Sequence, residues 1–420
     1  MALVQVVAGD RLGRQWLTMA SGTFGRLMLG LIPSLLIARA LGPADFGVFA
    51  TVGVLAGVAG VLADLGLSTT GVRWVAQAWP DLPDQAAARA WQFLRLRAQI
   101  ASGFLLLSVP LSPLFSMLLP GNPPVVLVWL ALVGMIVTNL SGSINAMLQA
   151  THCFRALALV LLANSGLTAV LALGLFFGNA LNLITALVVL GVATSLASSV
   201  LGWYLLPFRR IERNAQLLLA ERQALVRFGG WVWLANLLSM LANQLDVVLV
   251  GHWLPGIAVG HYSLASNLAA KAEVVNQSLH AVLLPDTARL RDSAAQRHYV
   301  RQALLRSAAI SLLLLPLFML ASWVITLLYG VQFAAAVVIF QWLLAIALVD
   351  LWSMPLLLLA YPRDRPDLLA AGDALRVLIL IGMAGVLLPV WGLAGMAIAR
   401  LVGKIASVGW VLLRLRWWRS

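Results

Sequence analysis

Arg26, Asp64, Asp246, Lys271, Glu273, Asp350, Asp373, Arg376, Arg400 and Lys404 all stand inside long apolar runs of this sequence. A charge in the middle of an apolar helix costs about 2.5–3.5 kcal/mol on insertion scales, so each is a candidate for chemistry. Arg and Lys in a wetted cavity hold phosphate or another anion through charge-assisted hydrogen bonds. Arg26 and Lys271 suit that role best: at about 1.5 Å per residue, each lies roughly 22 Å in from the end of its run. The other reading makes them structural partners of Asp64 and Asp246. Asp64, Asp246 and Asp350 are candidates to couple movement of a cargo to a proton or a sodium ion. Arg400 and Lys404 are four apart on one helical face and repel each other unless an anion or a carboxylate intervenes. Asp373 across a helix interface, or a bound phosphate, would serve. Asp373 itself is three residues from Arg376, a spacing that permits a pair within one helix.

Two polar stripes accompany these charges. Asn236, Ser239, Asn243 and Asp246 recur at helical spacing, as do Ser263, Asn267, Lys271 and Ser278. Such faces line water or sugar rather than lipid. Asn243 and Asn267 therefore join Arg26, Lys271, Arg400 and Lys404 as candidate substrate contacts. Glu273, Gln277 and His280 occupy the reverse face of the second stripe, where they either gate a cavity or pack against neighbours.

The elements that carry these residues are membrane helices. The chain is 62% hydrophobic and 10% charged, with a mean hydropathy of +0.95, too apolar for a soluble core. A span needs about 20 apolar residues, and turn signals divide the chain into twelve. They run about 15–41, 44–76, 90–119, 124–148, 154–177, 181–206, 224–254, 256–284, 300–329, 331–360, 366–389 and 392–415. Arg26 interrupts the first apolar run, which also has a counterpart later in the chain, so it reads as an uncleaved helix rather than a signal peptide. Cys153 is the sole cysteine, which excludes an intramolecular disulfide.

The formal charge of +13 does not form a nucleic-acid patch, because the arginines collect at helix ends. Connections after even-numbered helices hold Arg89, Arg155, Arg209, Arg210, Arg289, Arg291, Arg363 and Arg365, while the opposite connections hold none. Positive residues mark the cytoplasmic side, so both termini are expected there. The chain also repeats: Leu41, Gly47 and Phe49 match Leu254, Gly260 and Tyr262 at a constant offset of 213 (41 to 254, 47 to 260, 49 to 262). Two six-helix bundles follow, 1–207 and 224–420, joined by a polar cytoplasmic linker at 208–223. Six is even, so their pseudo-two-fold axis lies along the membrane normal.

Ala38 to Phe49 (ARALGPADFGVF), together with Asp246, Gly251, Leu254, Gly260 and Tyr262 spaced as D-x4-G-x2-L-x5-G-x-Y, resembles the polysaccharide-biosynthesis flippases. These are the O-antigen or Wzx-type members of the multidrug/oligosaccharidyl-lipid/polysaccharide exporter superfamily. The resemblance implies an all-α V-shaped pair of bundles in the bacterial inner membrane. It implies alternating access that moves an undecaprenyl-diphosphate-linked oligosaccharide to the outer leaflet, beside a polysaccharide polymerase machinery.

Two rivals stand against that reading. A multidrug or small-molecule antiporter on the same fold would take cationic cargo and need an acidic cavity; Arg26 and Lys271 lean against it. A membrane glycosyltransferase or polymerase would need carboxylates on outer loops, where only Asp45 is found. Enzyme and cofactor motifs are missing: position 398 is Ile where a phosphate-binding loop before Gly403-Lys404 needs glycine. Most of the 16 tryptophans, such as Trp16, Trp91, Trp203, Trp253 and Trp391, fall near span ends as interfacial anchors. Trp233, Trp342 and Trp352 lie deeper, where packing or substrate contact are the two options.

Overall fold

The computed structural model describes residues 11–208, 230, 233–234, 236–237, 240, 244–287, 293–360 and 367–415. Every regular element among them is helical: α1 (Arg11–Asp64), α2 (Leu67–Ala76), α3 (Pro83–Leu118), α4 (Val125–Ala150), α5 (Phe154–Phe177), α6 (Leu183–Leu205), an unlabelled helix at 244–253, α7 (Gly256–Thr287), α8 (Ser293–Met319), α9 (Ala321–Tyr329), α10 (Ala336–Leu357) and α11 (Asp367–Arg414). Seven helices among the described residues are long and apolar enough to cross a membrane. Large apolar side chains stand bare on them, Leu106 at 76% exposure and Met117 at 78%; such surface belongs against lipid. The protein is a multi-pass integral membrane protein. The twelve separate spans expected above are not seen directly. Two elements each join two helices at a glycine with non-helical dihedrals, Gly42 in α1 and Gly392 in α11.

The chain forms two compact units. The first holds Met1–Leu41 and Phe49–Gln244, the second Gly42–Val48 and Leu245–Ser420. The expected linker at 208–223 lies, beyond Phe208, outside the described residues.

In the first unit, α4 and α6 pack through small side chains. Gly134 meets Gly191, the Thr138 hydroxyl lies 3.0 Å from that of Ser195, and Ser141 lies 3.1 Å from Ser198. Each pair is 57 apart in sequence (134 to 191, 138 to 195, 141 to 198), so the two helices run parallel. Without a hydrophobic drive between helices in lipid, close backbone approach and such hydrogen bonds hold them together. A second core gathers Phe93, Met147, Leu148, Val160 and Phe208 with the buried alanines 86, 87 and 90.

The sequence pattern predicts one continuous helix over 44–76, but the structure breaks it. Leu65 (φ 51°) and Gly66 (φ 69°) are both left-handed, which ends α1 at Asp64 and restarts the chain as α2 at Leu67. Glycine adopts that conformation without strain. Carbonyls at the end of α1 lose their helical partners there. Arg97 of α3 replaces them, its Nη1 donating to Ala63 O at 3.2 Å and to Asp64 O at 3.1 Å.

In the second unit, α7 packs on α10, which also packs on α8 and α11. Gln341 Nε2 donates to Phe318 O at 3.2 Å and Ser307 Oγ to Leu351 O at 3.0 Å, tying α8 to α10. The two arms of α11 fold back on each other: Gly372 faces Ser407 and Val411, and Gly403 faces Arg376. Gly42–Val48 crosses the start of α7, where Gly47 abuts Gly256 and Gly260 so closely that no Cβ fits between them. Phe46 stacks edge-on against Phe333 at 6.0 Å, beside this crossing.

Candidate functional site

Each unit carries one polar cluster within its apolar helices. In the second unit, Asp246 is the centre. Its side chain is 3% exposed, and every contact around it uses the charge. Oδ1 accepts the Val247 N–H at 2.9 Å; Oδ2 accepts the Tyr262 hydroxyl at 2.7 Å and Arg400 Nη1. Arg400 Nη1 also donates to the Tyr262 oxygen at 3.2 Å, which closes a triangle. One turn along α11, Lys404 pairs with Asp350 of α10. The repulsion between Arg400 and Lys404 is thus relieved by Asp246 and Asp350, not by Asp373. Asp373 pairs with Arg376 at 3.9 Å, the intrahelical option.

Tyr262 is fully buried, so its hydroxyl has no water to fall back on. Tyr262→Phe is expected to lower unfolding stability by about 1–3 kcal/mol, the cost of stripping a buried charge of one hydrogen bond. Thermal melting of the purified protein in detergent checks it; an unchanged melting temperature would mean the triangle contributes nothing.

In the first unit, Asp64 ends α1 and takes a salt bridge from Arg97 Nη2 at 3.2 Å and a hydrogen bond from the Ser68 hydroxyl. Arg97 spends its remaining donors on Ser143 Oγ at 2.8 Å and Asn139 O at 3.4 Å, in addition to the α1 carbonyls. Asn139 in turn donates to Gly60 O at 3.1 Å. Above this cluster lies a cavity of about 710 Å³, whose walls include Gly53, Asp64, Gly66, Thr138, Asn139, Trp233 and Asn236. Irregular backbone at membrane depth is tolerated where it lines such a cavity, and the Leu65–Gly66 break does so.

The other expected site residues are placed as follows. Arg26 lies on α1 and is exposed; Lys271 lies on α7 and is half-buried. Asn267 is exposed on α7, its amide donating to Ser263 O at 2.9 Å. Asn243 and Ser239, and the side chains of Glu273, Gln277, Ser278 and His280, lie outside the described residues. The structural pairing envisaged for Arg26 with Asp64 and Lys271 with Asp246 gives way to Arg97 and Arg400 as the partners of those carboxylates. Trp352 donates to Ser311 Oγ at 2.9 Å, a packing role, whereas Trp233 faces the cavity.

Arg97 is the residue that sequence reasoning missed. Its signal was the stripe it continues: positions 86, 90, 93 and 97 share one face of α3, and all four are buried. Arg95, two residues earlier, is exposed instead. Tyr262 was visible as the repeat partner of Phe49 and as the last letter of the D-x4-G-x2-L-x5-G-x-Y pattern, not as a partner of Asp246. The structure shows that the first and last letters of that pattern bond to each other.

The described residues thus form a helical membrane scaffold with an ion-paired polar cluster in each unit and a cavity in the first. Solved structures agree on the fold. A multidrug resistance MATE family transporter of the MOP superfamily, in an inward-facing conformation, is similar at a TM-score of 0.76 and 17% identity, covering 93% of this chain and 94% of the other. The lipid II flippase MurJ, in an inward closed conformation, is similar at 0.69 and 13%, covering 95% and 87%. A MOP superfamily transporter from Pyrococcus furiosus, distinguished by the reverse polarity of its binding pocket, is similar at 0.54 and 14%, covering 98% and 97%. At such identities the likeness is one of fold. No curated protein matches the sequence. Residues 36–338 match the family of polysaccharide biosynthesis proteins, and the chain belongs to that family. Its fold is the one those MOP superfamily structures share.

Proposed function

We propose that this protein flips a lipid-linked saccharide precursor, an undecaprenyl-diphosphate-linked repeat unit of O-antigen, capsule or exopolysaccharide, across a bacterial inner membrane. Two six-helix bundles, twelve spans with both termini cytoplasmic, would alternate access to the two sides. The observation that carries the reading is the asymmetry of the Asp246–Arg400 pair. The carboxylate is 3% exposed and the guanidinium 31%, so the group offered to a cargo is the cation. A diphosphate needs such a donor, and Arg presents it as a planar fork. Arg26 and Lys271 supply further positive charge, and Lys404, Asn243 and Asn267 complete the set of proposed contacts. Family membership supports a polysaccharide cargo, and a flippase shares the fold. Asp64, Asp246 and Asp350 are the carboxylates through which a proton or sodium ion would couple; a polysaccharide polymerase is the expected neighbour.

The test replaces Arg400 with Lys, which keeps a charge beside the buried Asp246 but removes the planar fork, and Arg26 and Lys271 with Ala together, in the native host. Surface polysaccharide is expected to fall about tenfold or more at unchanged protein level, since a charge-assisted contact is worth about 1.5–3 kcal/mol. Wild-type polysaccharide in both variants, with altered drug accumulation instead, would replace the flippase with an antiporter.

A further inference from the structure

We infer that the cavity of the first unit is a saccharide subsite, which binds the neutral sugars of the cargo apart from its diphosphate. The inference rests on the proposed flippase function and adds a place and a chemistry to it.

The cavity holds about 710 Å³, within the range of about 300–1,000 Å³ typical of small-molecule sites. That is the space of roughly two dozen waters at about 30 Å³ each, enough for a short oligosaccharide. Its polar lining is hydroxyl and amide: Thr138, Asn139 and Asn236 line it with Asp64. Amides and hydroxyls both donate and accept, as the hydroxyls of a sugar do. Asp64 contributes acceptor oxygens without net charge, because Arg97 lies behind it at 3.2 Å and is itself 3% exposed. A floor that is polar yet neutral repels neither sign and selects uncharged cargo. A diphosphate would find no presented cation among the described lining residues.

Two further features point to a ring-shaped ligand. Trp233 lines the cavity, and its indole Nε1 is buried with no hydrogen-bond partner among the described residues. A buried donor left unpaired costs free energy, and a sugar hydroxyl would satisfy it while the indole face packs on the ring's C–H face. Opposite in kind, Gly53 lines the cavity, is exposed, and has no atom within 4 Å of where a Cβ would stand. That wall is bare backbone beside open space, which a sugar ring can approach.

The experiment reconstitutes the full chain in vesicles with fluorescent undecaprenyl diphosphate carrying no sugar, one neutral hexose, or a neutral trisaccharide. Gly53→Leu puts an apolar side chain at a cavity wall where a Cβ meets nothing within 4 Å, and is expected to slow the trisaccharide carrier about tenfold or more while leaving the sugar-free carrier at the wild-type rate. Trp233→Phe keeps an aromatic ring, smaller than the indole, and removes the N–H, and is expected to raise the apparent KM about three- to tenfold for sugar-bearing carriers only. Equal slowing of all three carriers by both variants, as a cavity filled by lipid would give, overturns the subsite and leaves the flippase standing. So does wild-type transport of all three. If the wild-type protein moves none of the carriers, the flippase reading fails and takes the subsite with it.

Discussion

Gly260→Ala is expected to lower stability by about 1–3 kcal/mol, the usual cost of overpacking a tight interface, and Gly260→Leu to prevent folding. The reason is the crossing of Gly42–Val48 over the start of α7. A Cβ on Gly260 would land on the Pro43 carbonyl and 3.2 Å from the Gly47 nitrogen; a Cβ on Gly47 would land on the Gly256 carbonyl and 3.0 Å from the Gly260 nitrogen. These obstacles are backbone, and backbone on both sides is held by helical hydrogen bonds, so neither can give way. Gly256 and Gly260, four apart, form one small-residue face, and Gly47 supplies the other. Gly53→Ala provides the control, because its Cβ meets nothing within 4 Å; it is expected to be neutral or to gain about 0.5–1 kcal/mol from better helix formation. Detergent melting and size-exclusion profiles of the three variants check the set. A Gly260→Ala protein that melts like wild type would show that the crossing has slack.

Arg97→Ala is expected to cost about 3–5 kcal/mol, because it leaves a largely covered carboxylate without its partner. Asp64 would lose its salt bridge, and Ala63 O, Asp64 O and Asn139 O would lose a donor at the same time. Arg97→Lys is not expected to rescue the fold. A single ammonium cannot present the guanidinium's spread of donors to acceptors on two helices. Combining Arg97→Ala with Asp64→Asn removes the bare charge and is expected to restore only part of the loss, since the carbonyls at the end of α1 remain uncapped. Unfolding of the four proteins in detergent measures this. Full recovery in the double variant would assign the whole effect to the ion pair and none to the helix break.

Most helix boundaries were legible because apolar runs end at turn residues. The fifth helix runs from Phe154 to Phe177, as its pattern says; the turns at His152 (φ 56°) and Asn179 (φ 51°) fall where polar pairs interrupt the runs. What escaped was structure inside apolar runs. The break at Leu65–Gly66 follows Asp64, a charge that reads as a candidate for chemistry rather than as a helix end, and the π-helical turn at Val188–Ala193 carries no polar marker, its one glycine reading the same in a straight helix as in a bent one. The charged residues were legible as a set but not in their pairing. Asp246 and Arg400 are 154 positions apart, and nothing local connects them. The carboxylates singled out for ion coupling proved to have tethered cations beside them, supplied by α3 and α11. Arg97 escaped because a charge near Arg89 and Arg95 looks like a helix end until its buried face is traced.

The ion pairs also determine how the protein meets a voltage. Moving one elementary charge through 100 mV is worth about 2.3 kcal/mol, enough to bias a change between two states. Asp64 with Arg97 sums to zero, and Asp246, Asp350, Arg400 and Lys404 together sum to zero. Either cluster can shift in depth as a unit without electrical work. Voltage therefore acts on the charges outside them and on whatever anion the protein carries.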